Sequence, residues 1–291
     1  MLVSALIHCS LFCYTAYFMN CLLLPQSAFI PLANVASSIQ PIAQDCTKEQ
    51  GFATEHFAAA RISDAQQIAH IHTVLAAQVG DTLKIGRQDG NLGTGIIQRM
   101  DTQEIELTEV SLTEPPPPKL ELTVVLALPR PKVLRRLIMD MTALGVQHII
   151  LINSYRTQKS YWQSPMLARL DEFVQEGLQQ ACDTVAPRIT LSKRFKPFVE
   201  DELAAVLAGA IGVVAHPYAP TSLQSFIQSR AADDSVQNLW PKLLCIGAEG
   251  GWIDYEIELL QAHGCQALSI GPRILRTEAA VNALIGQWLI H

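Results

Sequence analysis

Charge is scarce in this chain. Asp, Glu, Lys and Arg make up 16% of the 291 residues, and none of them occurs before Asp45. The net charge of −6 excludes a whole-chain electrostatic footprint for nucleic acid, so any RNA contact must rest on local patches. The seven cysteines (9, 13, 21, 46, 182, 245 and 265) contain no CxxC pair and no Cys/His grouping at zinc spacing, which excludes the usual structural metal sites. Odd in number and scattered, they read as reduced, mostly buried thiols of a cytosolic protein. Gly and Pro, 16 each, are too few for a collagen-like or low-complexity chain.

What is present is apolar. Hydrophobic residues make up 49%, ample for a core, and the length suits two domains. The charge is uneven: residues 1–118 hold 5 basic and 11 acidic side chains, whereas residues 119–291 hold 16 of each. Residues 1–24 are apolar enough to imitate a membrane span. They lack the positive start of a signal peptide and the basic flank of a spanning helix. Three readings stay open: an extension over 1–18 that is dispensable or precedes the true start, a membrane or targeting segment, and an ordered helix. With Met19 as the start, MNCLLLPQSAFI reads as a short strand followed by a turn.

Four consecutive prolines in Glu114-Pro-Pro-Pro-Pro-Lys119 mark the clearest boundary, because they enforce an extended segment without amide donors. Before it, β-like runs at 82–86, 95–98 and 104–108 alternate with Gly and Asp turns, the pattern of a small barrel over 19–113 with one helix at 63–76. After residues 114–119 the pattern changes. The apolar runs Leu122–Leu128, His148–Asn153, Ile211–Ala215, Lys242–Gly247 and Gln266–Ile270 alternate with helical stretches at 131–144, 164–182, 255–262 and 275–289. Strands buried on both faces and separated by helices predict an α/β domain over 120–291 with a parallel sheet. Ligands of such sheets sit beyond the carboxyl ends of the strands, so the loops after Ala215, Gly247 and Ile270 are the places to search.

Four groups there could carry chemistry. In Ile246-Gly-Ala-Glu-Gly-Gly-Trp252 a strand runs into a glycine loop and then a helix, with Asp254 as a candidate cap. No Gly-Lys-Ser/Thr follows, so it is not a P-loop, and a tight turn without ligand is the plain alternative. In Leu268-Ser-Ile-Gly-Pro-Arg-Ile-Leu-Arg-Thr-Glu-Ala-Ala280, Arg273 and Arg276 precede the last helix, where the dipole disfavours cations. They are expected to meet an anion or a carboxylate such as Glu249 or Glu278. His216-Pro217 ends a strand and is either a site residue or a hydrogen-bonded structural pair. Basic clusters at Arg130, Lys132, Arg135, Arg136 and at Arg188, Lys193, Arg194, Lys196 are candidate phosphate contacts or solvated faces.

The pair IGAEGGW and LSIGPRILRTEAA resembles the RsmE-type 16S ribosomal RNA methyltransferases of the SPOUT class, whose usual forms are IGPEGG and LGxRILRTETA. LALPRPKVLRR, TALGV, INSYRTQKSYWQSP, RFKPFVEDEL and VAHP resemble further segments of that family in order, so the likeness spans roughly residues 19–291. The resemblance implies a PUA-like β-barrel followed by a SPOUT domain with a deep trefoil knot, S-adenosylmethionine bound in the knot cleft, and a homodimer. It implies methyl transfer to N3 of a uridine in 16S rRNA or the small ribosomal subunit.

Carried over by position, the cofactor residues are His216, Pro217, Gly247, Glu249, Gly250, Gly251, Ile270, Gly271, Arg273, Ile274, Leu275 and Arg276. A branched side chain at Gly250 is expected to collide with the ligand. Arg276 is the candidate for stabilising charge on a uracil oxygen, and Glu249 for accepting the proton. Arg130, Lys132, Arg135, Arg136, Arg194 and Lys196 are the candidate RNA contacts. The chain departs from the family pattern at Ala76, Asp140, Cys182, Ala248 and Ala279, several of them losses of positive charge. Two alternatives stay open, a SPOUT enzyme with another RNA target and a non-catalytic RNA-binding descendant.

Overall fold

The computed structural model describes residues 20–32, 54–233 and 239–290. The reading of residues 1–18 as an extension lies outside them. The described chain falls into two compact units: one comprises the chain up to Pro116 together with Gln179–Val185, the other Pro117–Leu178 and the chain from Ala186.

In the first unit, six strands form one curled sheet in the order β1-β4-β5-β6-β3-β2. They are β1 (Leu22–Leu24), β2 (Phe29–Pro31), β3 (Glu55–Ile62), β4 (Thr82–Arg87), β5 (Leu92–Met100) and β6 (Ile105–Glu114). β1 pairs with β4 in parallel, and the other pairs are antiparallel. The curl follows from chain length. The edge strands β1 and β2 are joined only by a 3-10 turn at Gln26–Ala28. Five residue steps reach about 17 Å. A flat six-stranded sheet would hold its edges about 24 Å apart.

Leu22, Leu24, Ile85, Ile97, Ile105 and Leu107 pack inside the curl, with Ile68 and Ile71 from a helical lid: α1 (Ala65–His70) continued by a π turn, Ile71–Leu75. In β6 the buried positions switch from Ile105 and Leu107 to Val110 and Leu112. The switch passes through Glu109 at φ 50, where a bulge adds one residue. The sequence reading has residues 1–24 as a possible span, but Leu22–Leu24 is a fully buried strand of this sheet. No helix among the described residues is long and apolar enough to cross a membrane.

The second unit has six parallel strands in the order β12-β10-β11-β7-β8-β9. These are β7 (Leu120–Ala127), β8 (Val146–Ile152), β9 (Arg188–Ser192), β10 (Gly212–Ala215), β11 (Leu243–Ile246) and β12 (Cys265–Leu268). Between them lie α2 (Pro131–Ala143), α3 (Leu170–Ala181), α4 (Phe195–Pro197), α5 (Leu203–Leu207), α6 (Leu223–Ala231) and α7 (Asp254–Ala262), and after them comes α8 (Thr277–Ile285). Pro131 opens α2 at its first turn, where a missing N–H costs nothing, and Gly145 at φ +81 ends it.

The helix read over 164–182 begins later, at Leu170, after a 3-10 turn. Its end belongs to the first unit: Cys21 N donates to Gln179 O (3.1 Å) and Gln67 Nε2 to Gln179 Oε1 (3.0 Å). Four free cysteines are described, three of them buried. Burial pushes the Cys21 thiol up to about 12, the mark of an inert thiol.

After β9 the chain crosses the sheet to β10, so strand order reverses beside β7. The tail then leaves the edge strand β12 and returns. Ser269 is stitched to the loop before α6, and α8 lies on α2 and β11, with Asn282 Nδ2 donating to Asp140 Oδ2 at 3.0 Å.

His148 on β8 is half-buried beside Arg188, and burial, then the Arg188 charge, hold its pKa below the usual 6.5. The unfolded chain therefore takes up the proton first, and stability falls as pH drops below about 6.5. We expect His148→Gln to flatten the loss of urea midpoint between about pH 7 and pH 5. Identical slopes in the two proteins would remove His148 from the acid response.

Candidate active site

The carboxyl ends of β10, β11 and β12 lie side by side, and the loops leaving them wall a cavity of about 290 Å³. Ala215–Tyr218 come from the first loop, Ile246–Trp252 from the second, and Leu268–Gly271, Arg273–Leu275 and Thr277 from the third. Ala280 and Leu284 of α8 and Arg156 from the loop after β8 complete the wall.

Backbone hydrogen bonds hold the loops together. His216 N donates to Leu268 O (2.9 Å), Leu223 N to Ser269 O (2.8 Å) and Ser269 N to Thr221 O (3.0 Å). The glycine loop is pinched: Gly251 N donates to Ala248 O (2.9 Å), and a Cβ on Gly247 would stand 2.8 Å from Gly251 Cα. Gly251 (φ +70) and Gly271 (φ +135) take backbone shapes that a side chain resists, and a Cβ on either would point into open space.

Trp252 lines the cavity at 6% exposure, packed against Phe195 with ring centroids 5.6 Å apart. Its indole N–H is buried without a hydrogen-bond partner among the described residues. That N–H is buried in the protein and not open to the cavity, so Trp252 contributes its packed ring to the wall.

The start of α7 is organised by Glu256, 2% exposed, and not by Asp254, the expected cap. Its Oε2 accepts from Ile253 N (3.0 Å) at the helix N-terminus and its Oε1 from Tyr155 N (2.8 Å) in the loop after β8.

These observations are met by the comparisons. An RNA methyltransferase domain model matches residues 116–289. The chain belongs to this RNA methyltransferase family. It is 28% identical over 222 residues to the ribosomal RNA small subunit methyltransferase E of Treponema pallidum, covering 75% of this chain and 80% of that protein. The structure of the Neisseria gonorrhoeae ribosomal RNA small subunit methyltransferase E bound to S-adenosyl methionine superposes with a TM-score of 0.62 at 18% identity, over 80% of this chain and 91% of that one. A Legionella pneumophila methyltransferase in complex with SAM gives 0.60 at 20%, over 84% and 94%. At such identities the likeness shows the fold: a PUA-like half-barrel and a SPOUT α/β unit with a parallel sheet.

Within this methyltransferase fold, the structure brings His216, Pro217, Gly247, Glu249, Gly250, Gly251, Ile270, Gly271, Arg273, Ile274 and Leu275 to the cavity wall. Arg276 is absent from that wall, although Leu275 and Thr277 on either side of it are there. Its side chain is exposed and its backbone caps α8. The expected pairing of Arg273 or Arg276 with Glu249 or Glu278 is not found. Arg130 takes Glu249 instead, its N and its Nε each 3.0 Å from Oε1. Neither Arg273 nor Arg276 has an ion-pair partner among the described residues, which leaves both for an anion.

The basic cluster of α2 is partly spent inside the protein. Arg135 forms a two-pronged pair with Glu176 at 3.0 and 2.9 Å, and burial still raises the Glu176 pKa despite that cation. Lys132, Arg136 and Arg194 are exposed, and Lys196 lies 3.5 Å from Glu200. Gly250 also differs from expectation. A Cβ there would meet the Arg156 side chain, so the collision is with protein. Sequence reasoning missed Arg156, Glu256 and the role of Trp252. INSYRTQKSYWQSP resembles a family segment, but nothing in it named a chemical task for Arg156.

Proposed function

We propose that this chain transfers a methyl group from S-adenosylmethionine to N3 of a uridine in small-subunit ribosomal RNA, as a cytoplasmic homodimer. The observation that carries this reading is the cavity at the carboxyl ends of β10, β11 and β12, walled by the two glycine-bearing loops 246–252 and 268–275. A cofactor with an adenine, a carboxylate and an amine suits a wall rich in glycine, where backbone groups can be approached closely, and the open space at Gly251 and Gly271 leaves room for it. Residues 246–252 and 268–275 would hold it. When bound, the cofactor supplies an electrophilic methyl on sulfur, so the protein needs neither a nucleophile of its own nor a metal.

The acceptor is an imide nitrogen that carries a proton at neutral pH. The chain must therefore take up a proton or stabilise the uracil anion. Glu249 lies on the cavity wall, its Oε1 held by Arg130. It is the candidate proton acceptor, oriented by that pair. Arg276 is exposed and absent from the cavity wall, and is the candidate for stabilising charge on a uracil oxygen. Lys132, Arg136, Arg194 and Lys196 are the candidate phosphate contacts, with Arg130 and Arg135 supporting protein geometry. The unit over 19–113 assists RNA binding with few free cations, because Arg87 is tied to Glu55 and Arg99 to Asp101, Glu104 and Glu106, which leaves Arg61 and Lys84 among the described residues.

Exposed apolar side chains at the cavity rim support the dimer. Tyr218 is 73% exposed and Ile274 69%, with Ile270 and Leu275 beside them on the same cavity. Ile274→Asp is expected to turn a dimer into a monomer in sedimentation velocity. A wild-type monomer would refute the dimer.

The test of function is nucleoside mapping by mass spectrometry. Small subunits from a strain lacking this gene should lose one N3-methyluridine and regain it with the purified protein and S-adenosylmethionine. Undiminished methylation in that strain would overturn the assignment.

A further inference from the structure

We propose that Arg156 is a positioning residue of the methyl-donor loop: its side chain lies across Gly250 and holds the Gly250 carbonyl, which sets the shape of the loop that walls the cavity. The inference rests on the reading of that cavity as the cofactor site.

Three observations converge on it. Arg156 Nη1 donates to Gly250 O. A Cβ at position 250 would stand 2.7 Å from Arg156 Cδ, 3.1 Å from its Cβ and 3.4 Å from its Cγ, so the alkyl stem fills the space a side chain at 250 would need. Arg156 is also the single lining residue contributed from the β8 side of the sheet.

The neighbouring backbone is anchored independently. Tyr155 N is held by the buried Glu256, and Thr157 Oγ1 donates to Leu128 O at 3.2 Å. Arg156 therefore projects from a backbone fixed on both sides. Glycine at 250 and arginine at 156 act as one fitted pair. Gly250 is small because Arg156 lies on it, whereas Gly251 is glycine because of its φ of +70.

A guanidinium in this place does what no apolar residue can: it satisfies the Gly250 carbonyl, while its stem covers the pinched turn. Without it, the turn from Ala248 to Gly251 keeps its own hydrogen bond, at 2.9 Å, and the Arg130 contacts to the Glu249 side chain, and nothing holds the Gly250 carbonyl. The loop then samples shapes that do not fit the ligand, and affinity falls by the fraction lost.

The test uses the full chain in four variants, Arg156→Ala, Arg156→Lys, Gly250→Ala and the double Arg156→Ala/Gly250→Ala. S-adenosylmethionine affinity is measured by calorimetry, and amide exchange over 248–252 without ligand. Arg156→Ala should weaken affinity about tenfold and speed exchange in the loop, with the melting temperature unmoved because the side chain is exposed. Arg156→Lys, which still donates to the carbonyl, should recover most of both. Gly250→Ala should weaken binding, and the double variant should be no worse than the worse single, because the two changes remove one contact.

Wild-type affinity and wild-type exchange in Arg156→Ala would overturn the proposal, as would losses that simply multiply in the double variant. If the wild-type protein bound no S-adenosylmethionine while Arg156→Ala still loosened the loop, the cofactor reading would fall and the brace would stand.

Discussion

Replacing Glu256 with alanine should lower the unfolding free energy by about 3 kcal/mol, a large effect for a single polar side chain. Glu256 is 2% exposed and accepts two backbone N–H groups, from Tyr155 at 2.8 Å and from Ile253 at 3.0 Å. Alanine leaves both donors without their acceptor, and it removes the negative charge from the first turn of α7, where the helix dipole favours it. Burying the carboxylate costs desolvation that alanine does not incur, which is why the net loss is less than the sum of its two bonds. Glu256→Gln separates charge from shape: its amide keeps one acceptor and turns an NH2 toward the other donor, so about half the loss is expected. Urea midpoints of the three proteins decide the matter. An unchanged midpoint in Glu256→Ala would show that water or a shifted backbone replaces the carboxylate at no cost.

The same substitution carries a functional consequence. Tyr155 and Ile253 flank the two chains that meet at the glycine loop, so Glu256 ties the Arg156 loop to the start of α7. Loss of that tie should weaken cofactor affinity as well as stability, in contrast to Arg156→Ala, which acts on affinity alone.

Arg276→Ala should cut turnover by about 100-fold while leaving S-adenosylmethionine affinity within twofold, because removal of one donor aimed at developing charge costs of order 10²–10³. The structure separates these two quantities. The side chains that wall the cavity are candidates for holding the methyl donor, and Arg276 is not among them. It lacks an ion-pair partner among the described residues and caps α8 through its backbone, with Ala280 N donating to its carbonyl at 2.8 Å. Alanine keeps that carbonyl, so the fold is preserved. Single-turnover kinetics with saturating RNA and equilibrium cofactor binding test the claim together. Wild-type turnover would remove Arg276 from the mechanism, and a parallel fall in cofactor affinity would place it on the donor side. Lysine at 276 should recover little, since a point charge does not reproduce the planar fork of donors.

Much of the second unit was legible from residue pattern. Strands buried on both faces leave continuous apolar runs such as LTVVLAL and HIILI, and each was found within two residues of its place. The glycine loop and the LSIGPRILRTEAA segment pointed to adjacent loops at strand carboxyl ends, which is where the cavity lies. Other elements escaped. β3, EHFAAARI, has an alanine-rich core and no apolar run, so its strand nature comes from pairing with β6 over 43 or more residues of chain. The segment from Phe195 to Leu207 contains Pro197 and three consecutive acids, and it folds as short helical pieces around a π turn. Only Leu223 of α6 is buried, so no apolar stripe announced that helix.

By itself the sequence determined which segments are sheet core and where its glycine-rich loops fall, because burial on two faces and freedom at positive φ are properties of local residue type. The tertiary structure alone decided who meets whom. Arg130 and not Arg276 holds Glu249 across 119 positions, Arg135 is bound to Glu176 across 41, and Arg156 reaches Gly250 across 94. Those partners follow from strand order and from the return of the tail past β10, and no local propensity records how far apart in the chain two charges will be when they become neighbours.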